Sequence, residues 1–283
     1  MEKIKIVTDC TSDLSEELIE KHNIHTVPLI VNIGGKSYKD KEEINTKELF
    51  EKVKEYDELP KTSALTPHTY YELFKDLIDQ GYSVLYMGIG SGFSSCYQNS
   101  MIASEDLPKD KLRIVDSANL SSGIGLLLLK AAKFRDEGNS LNEIADKLEV
   151  LVPKVRTMFS IDTLEYLHKG GRCSGTARFF GSMLKIKPII RVVDGKMVVA
   201  KKPRGKYKVA LDTQLDYFMH DKDNIDPENI FITHCLAHDE DIEYLKEKIT
   251  QTIDVKNLHV TNASSVISTH CGPRTIGILY IVD

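Results

Sequence analysis

The chain reads VLYMGIGSGFSS at residues 84–95, and this stretch decides the fold class. The apolar run 84–87 is typical of a parallel strand that is buried on both faces. The glycines and serines that follow, residues 88–95, let a ligand approach the backbone closely and offer hydrogen bonds. Ligands of open α/β sheets bind beyond the carboxyl ends of the strands. We therefore expect this Gly/Ser loop (residues 88–95) to hold an anionic or carbonyl group.

Familiar catalytic motifs fail at this loop. A nucleophile elbow requires glycine two residues before and two residues after the serine, and neither Ser91 nor Ser94 has both. The dinucleotide fingerprint G-x-G-x-x-G fails at its third glycine, where the chain has Phe93. No Walker A spacing precedes the sequence GGKS at residues 34–37. A tight strand-to-helix turn without a ligand stays open as the alternative.

Length, charge and cysteine usage narrow the class of protein. The 283 residues allow two domains or one large one, and the net charge of −5 does not favour nucleic acid as a partner. The longest apolar stretch, residues 124–129, is too short to cross a bilayer, and a strand begins at the N-terminus without a signal peptide. Five scattered cysteines without a C-x-x-C pair indicate free thiols, so we expect a cytoplasmic protein.

Strands and helices alternate through the first half of the chain, which predicts an α/β fold with a parallel sheet covered by helices. The predicted strands are 3–9, 25–33, 83–89 and 112–116. The predicted helices are 13–22, 46–56, 66–80, 98–105 and 121–137, with a further helix that starts at the Ser140 capping box.

The second half has a different pattern. Residues 188–193 and 196–201 flank Asp194-Gly195, which predicts a β-hairpin. Further strands are predicted at 229–234, 257–261 and 275–282, and helices at 207–220 and 239–250. We place a domain boundary at this change, giving an N-terminal α/β domain (1–157) and a C-terminal α/β domain (158–283).

Three further segments carry residues suited to an anion. Thr62 and Ser63 precede a helix start and could hold a carboxylate or phosphate, or simply form a capping loop. Arg172 follows a flexible Gly-Gly turn and could bind a carboxylate with both guanidinium arms, or lie beside a helix C-cap. His270, between two predicted strands, could donate to an anion or be an ordinary loop histidine.

No metal site is predicted. The segment 234–241 contains histidines and a cysteine, but His234 ends a strand and the acidic residues after it suit a helix N-terminus. Asp9, Asp40 and Asp116 lie at strand or loop ends, where they could hold a metal or polarise a hydroxyl; we favour turn and capping roles.

Taken in order, these segments resemble the DegV family, which includes the fatty-acid-binding subunits of bacterial fatty acid kinase. The strongest part is G-G-R at 170–172, between a leucine-rich helix and K-P-I-I at 187–190. The other matching pieces are VTDCT at 7–11, VPL at 27–29, KTS at 61–63, GSGFS at 90–94, VDS at 115–117, LEYL at 164–167 and HCGP at 270–273.

The resemblance implies a two-domain protein that buries a long-chain fatty acid in a tunnel between its domains. It implies that Thr62, Ser94 and His270 hold the carboxylate, with Arg172 close by. Ser63 and Ser91, in the same motifs, complete the expected head-group site.

By the same resemblance, the chain has no catalytic residue and no cofactor. A separate ATP-dependent kinase subunit phosphorylates the bound carboxylate for phospholipid synthesis, and Arg204 meets that kinase. This role is compatible with transient contact at a membrane surface. The alternative is a serine-dependent lipid or ester hydrolase that uses Ser91 or Ser94 and needs a base within reach.

The chain departs from the family pattern in three places. Cys10 stands where the family commonly has serine, and residues 94–97 read S-S-C-Y where it commonly has S-G-T-Y; both changes keep small polar residues. Arg274 stands where the family commonly has a further glycine, and it adds a charge near the expected head group or points to solvent. The candidates for the tunnel wall, each with plain core packing as its alternative, are residues 124–129, Phe159, Phe179, Phe180, Met183 and Leu184.

Overall fold

The structure is a computed structural model, and it describes residues 2–172 and 186–283. In the first half the elements are β1 (Ile4–Asp9), α1 (Glu16–Lys21), β2 (Ile24–Val27), β3 (Ile30–Ile33), β4 (Lys36–Lys39), α2 (Thr46–Tyr56), β5 (Lys61–Ser63), α3 (Pro67–Asp79), β6 (Ser83–Tyr86), α4 (Cys96–Ala103), β7 (Leu112–Ile114), α5 (Ser122–Asp136) and α6 (Leu141–Leu151). In the second half they are β8 (Val155–Ser160), α7 (Glu165–Gly170), β9 (Ile189–Val193), β10 (Lys196–Lys201), α8 (Tyr207–Asp221), β11 (Ile230–Cys235), α9 (Asp239–Thr252), β12 (Leu258–Asn262), α10 (Ser265–Cys271) and β13 (Thr275–Ile281).

The first half builds a parallel sheet in the order β2-β1-β6-β7, as predicted. Every residue of β6 is buried, because the strand is apolar on both faces and lies between β1 and β7. Local signals set the helix starts. Thr66 caps α3 by accepting from the Thr69 amide, and Ser140 and Glu143 form a capping box at α6.

The second half builds a mixed sheet in the order β10-β9-β8-β13-β11-β12. The pairs β10–β9, β9–β8, β8–β13 and β13–β11 are antiparallel, whereas β11 and β12 run parallel. The predicted hairpin is confirmed, with Asp194 and Gly195 at its turn and both in left-handed conformations. Thr157, where we placed the domain boundary, lies within β8, and the division into domains stays a prediction.

Helix α5 lies between the two sheets. It packs against β1 on one side and against β8, β11 and β13 on the other. Its residues 122–129 are all buried, because a helix covered on both sides must be apolar almost all round.

Local sequence patterns missed two elements that carry site residues. The predicted strand 25–33 is interrupted at Pro28, and its second part, β3, pairs with β4 and β5 in a small antiparallel sheet. Thr62 and Ser63 therefore lie on a strand rather than in a capping loop. His270 lies in the last turn of α10 rather than in a loop. The sequence did not predict this helix, because it is buried nearly all round and shows no amphipathic period.

Candidate functional site

A cavity of about 150 Å³ lies where the Gly/Ser loop, β5, α10 and the β9–β10 hairpin meet. Its wall combines hydroxyl, imidazole and guanidinium groups with apolar side chains. The lining residues are Leu29, Thr62, Ser63, Ala64, Ile89, Phe93, Ser94, Ser95, Leu120, Arg172, Met197, Val266, Ile267, His270 and Cys271.

Most of the predicted head-group residues meet at this cavity. Thr62, Ser63, Ser94, Arg172 and His270 all line it, although they come from distant parts of the chain. The remaining member of the predicted set, Ser91, turns to Asp116. Ser91 anchors the loop through two hydrogen bonds to Asp116.

The Ser91 hydroxyl donates to Asp116 Oδ2 at 2.5 Å, and its amide donates to Asp116 Oδ1 at 3.0 Å. A second carboxylate, the fully buried Asp9, holds the start of the loop, because it accepts from the Ile89 amide at 2.9 Å. Burial raises the pKa of Asp9, while the hydrogen bonds from Thr11 and Ile89 oppose that rise. The turn roles predicted for Asp9 and Asp116 are confirmed.

The hairpin closes over the Gly/Ser loop through backbone contact. A Cβ on Gly92 would lie 2.0 Å from the carbonyl oxygen of Gly195, so this position has no room for a side chain. Beyond the turn, Met197 on β10 is buried and lines the cavity.

His270 is the most buried polar group of the site that can titrate near neutrality. Its Nε2 lies 2.9 Å from Thr62 Oγ1. Burial lowers its pKa to about 4, and the positive charge of Arg172 acts in the same direction. The imidazole is therefore neutral at pH 7, so one ring nitrogen carries a proton and the other accepts.

The Gly-Gly-Arg motif makes room for this histidine. A Cβ on Gly170 would lie 2.5 Å from His270 Nδ1, and no hydrogen-bond partner for Nδ1 occurs in the part of the chain that the structure describes. Gly171 ends α7 with a φ of 66°. Arg172 then donates from Nη1 to the Gly170 carbonyl at 2.6 Å and from Nε to the Phe93 carbonyl at 3.4 Å. Arg172 thus lies beside a helix C-cap and also reaches the cavity with its positive charge.

Ser94 presents its hydroxyl beside a buried thiol. Its Oγ donates to Cys96 Sγ at 3.2 Å and accepts from the Cys96 amide at 3.3 Å. Burial raises the pKa of Cys96 to about 11, so the thiol is uncharged at pH 7. Cys96 therefore adds no negative charge next to Ser94, which favours an anion there.

A second, inner cavity of about 20 Å³ lies behind the first, and the two share Leu120, Ile267 and Cys271. Of the predicted wall residues, Phe159 lines this inner cavity, whereas residues 124–129 are core of α5. Phe179, Phe180, Met183 and Leu184 lie outside the described residues. The other lining residues are Ser121, Thr157, Thr233, His234, Cys235, Ala263, Thr275, Gly277 and Leu279.

Several wall residues escaped the sequence analysis. Val266 and Ile267 were missed because α10 itself was missed. Met197 faces inward on the predicted hairpin, so strand alternation could have indicated it. Arg274 lies elsewhere: its Nη2 is 3.7 Å from Asp241 and its guanidinium stacks 4.9 Å from the Tyr207 ring centre. It neither lines the cavity nor points simply to solvent.

The described residues show no sign of a metal centre or a membrane span. Within 2–172 and 186–283, no three His, Cys, Asp or Glu side chains are grouped to bind a metal ion. Over the same residues, no helix has the length and apolar character needed to cross a bilayer. Cys10, Cys96, Cys235 and Cys271 are buried and form no disulfide among the described residues, and Cys173 lies outside them.

The fold and the site define a class: α/β proteins with a parallel and a mixed sheet and a cavity lined by hydrogen-bond donors and apolar side chains. The model of the DegV family, described as an uncharacterised protein family, matches residues 3–283. The chain belongs to the DegV family.

Relatives and solved structures agree with this assignment. A DegV domain-containing protein of Clostridium acetobutylicum is 35% identical over 282 residues, covering 99% of each chain. A DegV family protein from Thermus thermophilus, solved for its fatty acid binding, is 29% identical with a TM-score of 0.92 over 99% of this chain and 100% of the other. DegV of Bacillus subtilis, a fatty acid binding protein, is 27% identical with a TM-score of 0.87 over 100% of both chains.

Proposed function

We propose that this protein binds a long-chain fatty acid in the cavity between its two sheets, which belong to the predicted domains 1–157 and 158–283. The carboxylate lies among Thr62, Ser63, Ser94, His270 and Arg172, and the acyl chain extends toward the inner cavity. The observation that carries this proposal is the convergence of hydroxyls, a neutral imidazole and a guanidinium in a cavity whose other lining side chains are apolar. The fatty-acid-binding relatives from T. thermophilus and B. subtilis support it.

The energetics suit an amphipathic ligand. A buried carboxylate is costly unless donors surround it, and this wall supplies hydroxyl, imidazole and guanidinium groups. An acyl chain gains about 0.8 kcal/mol per buried methylene, so sixteen carbons contribute on the order of 10 kcal/mol before the costs of binding.

The protein presents the carboxylate to a separate ATP-dependent kinase subunit in the cytoplasm, and is not itself an enzyme. The family resemblance supports this role, and the sequence contains no Walker A motif. Arg204 is exposed and lies just after the hairpin. It forms an isolated β-bridge with Ile186, which lies just before the hairpin. Its position on the surface suits contact with the kinase.

No observation favours the hydrolase alternative. Ser91 bonds to Asp116 and Ser94 to Cys96, whereas the hydroxyl beside His270 belongs to Thr62. Among the described residues, no serine of the loop is hydrogen-bonded to a histidine that could act as its base.

Native mass spectrometry of the purified protein tests the proposal. We expect a bound fatty acid, or uptake of added oleate or palmitate by ligand-free protein. We also expect no acyl phosphate when ATP and fatty acid are added to this protein alone. Protein that takes up no fatty acid and turns over a lipid ester would reject the proposal in favour of the hydrolase.

The kinase contact has its own test. Arg204→Ala should leave fatty acid affinity intact and lower the rate at which the kinase subunit forms acyl phosphate. The matched control is Lys222→Ala, which removes a charge at the far end of α8. An unchanged kinase rate would reject the partner role of Arg204, and a loss of fatty acid would place this residue in the ligand site.

A further inference from the structure

Helix α10, which carries His270, is held at its first turn by a carboxylate from the other half of the chain. Asp40 Oδ1 accepts from the Ser265 amide at 3.0 Å, and Asp40 Oδ2 accepts from the Val266 amide at 2.8 Å. Asp40 is only 1% exposed. Both of its oxygens therefore serve backbone donors that would otherwise be orphaned at the helix start.

This anchor matters because α10 is short. Seven residues form about two turns, which are not stable alone and depend on contacts with the rest of the protein. Asp40 also meets the positive end of the helix dipole, where a buried carboxylate is favoured. His270 lies in the last turn of the same helix, so the position of the first turn sets the place of the imidazole.

The backbone of Asp40 is tied to the opposite wall of the cavity. Its amide donates to the carbonyl of Leu29, a residue that lines the cavity. Cys10 completes the link, because its thiol lies 3.4 Å from Asp40 Oδ2 and its sulfur accepts from the Leu29 amide at 3.3 Å. Leu29 and α10 are thus fixed to one another through a single side chain.

We propose that Asp40 is the positioning residue for His270: by holding the first turn of α10 against Leu29, it keeps the imidazole beside Thr62 and aimed at the carboxylate. This inference rests on the proposed fatty acid function. Asp40 itself does not line the cavity; its effect passes through the helix.

Asp40→Asn tests the positioning role with almost no change in shape. The amide nitrogen of asparagine would face a backbone N–H, so one of the two hydrogen bonds to α10 is replaced by two opposed donors. We expect fatty acid affinity to fall at least about tenfold. Thr46→Val is a milder variant, because the Thr46 hydroxyl donates to the Ala263 carbonyl at 2.6 Å just before the same helix. It should shift the affinity in the same direction by less.

A second readout separates positioning from general loss of stability. The imidazole of His270 is titrated by NMR in ligand-free protein. Burial holds its pKa at about 4, and a displaced α10 exposes the ring, so Asp40→Asn should raise that pKa toward its ordinary value. The control is Asp221→Asn, which weakens the hydrogen bond from Tyr280 at 2.9 Å in the second sheet and should leave both readouts unchanged.

Either of two results overturns the proposal: Asp40→Asn folds with the affinity and the His270 titration of the wild type, or Asp221→Asn alters both as strongly. If Asp40→Asn does not fold, Thr46→Val tests whether the start of α10 sets the place of the imidazole, and wild-type affinity together with a wild-type His270 titration overturns the proposal. Failure of the wild type to bind fatty acid would reject the proposed function instead, and the His270 titration would still test the anchor.

Discussion

The two walls of the cavity differ in how they are held. The loop wall, formed by the Gly/Ser loop, follows a strand directly, and carboxylates at neighbouring strand ends fix it through Asp9 and Asp116. The helix wall, formed by α10, has no such neighbours in sequence, and Asp13 and Asp40 from the first half of the chain hold its start. One wall is thus a product of a local motif, and the other of docking between distant segments.

The two walls should therefore respond differently to pH. The loop wall presents hydroxyls, which do not titrate near neutrality. The helix wall carries His270, whose pKa burial lowers to about 4, and rests on Asp13, whose pKa burial raises to about 6. The expected consequences follow, from the largest effect to the smallest.

Acidification should change the free energy of unfolding through two opposing contributions from the helix wall. The pKa of His270 is lower in the folded chain than in the unfolded chain. Its contribution to the free energy of unfolding is therefore present above pH 6.5 and is lost as the pH falls toward 4, a loss of about 3 kcal/mol in total. The pKa of Asp13 is raised, so its contribution is present below 3.8 and lost as the pH rises through 6, about 2–3 kcal/mol. The two nearly cancel in the wild type.

Single variants should reveal each contribution. Urea unfolding at pH 7 and pH 4 should show His270→Gln losing less stability on acidification than the wild type, and Asp13→Asn losing more. Asparagine keeps the hydrogen bonds at Asp13, because its oxygen accepts from Ser264 and its amide can donate to Ser121. Parallel curves for all three proteins would show that the two walls do not differ in charge response.

Removing one donor from each wall should weaken binding similarly. Ser94→Ala and His270→Ala each lose a hydrogen bond to a charged group, about 1.5–3 kcal/mol, so fatty acid affinity should fall at least about tenfold. Displacement of a fluorescent fatty acid measures this cleanly, because the chain has no tryptophan. Wild-type affinity in both variants would remove these residues from the head-group site.

Space between α7 and α10 should also be limiting. Gly170→Ala places a methyl group against His270, and overpacking of this kind costs about 1–3 kcal/mol of stability. In the double variant with His270→Ala the clash disappears, so unfolding measurements should show strong coupling between the two sites. Additive effects would mean that Gly170 does not make room for the imidazole.

The smallest effect is expected at Ser91. Its hydroxyl serves Asp116 rather than the cavity, and Asp116 is only half-buried, so water can replace the lost donor. Ser91→Ala should therefore cost about 0.5–1.5 kcal/mol of stability and change fatty acid affinity little. A loss of affinity as large as that of Ser94→Ala would return Ser91 to the head-group site.

The parallel sheet, the Gly/Ser loop, the hairpin turn and the helix caps at Thr66 and Ser140 could all be predicted from the sequence. These features depend on residues close to one another in the chain: an apolar run, a left-handed Asp-Gly pair, or a hydroxyl three residues before a free amide. The strongest motif of the resemblance, Gly-Gly-Arg, also lies at the cavity.

Tertiary structure alone decided which of the candidate residues meet. Thr62 acquires its strand by pairing with β3, and His270 reaches it from 208 residues away. Helix α10 has no amphipathic pattern that would predict it. It is stabilised by the surrounding core and by Asp40, which lies 225 residues before Ser265. Ser91 and Ser94 lie in similar sequence contexts, but the Ser91 hydroxyl donates to Asp116 whereas Ser94 lines the cavity. Contacts over such separations leave no periodic trace in the chain, since their energy comes from burial and capping by distant groups.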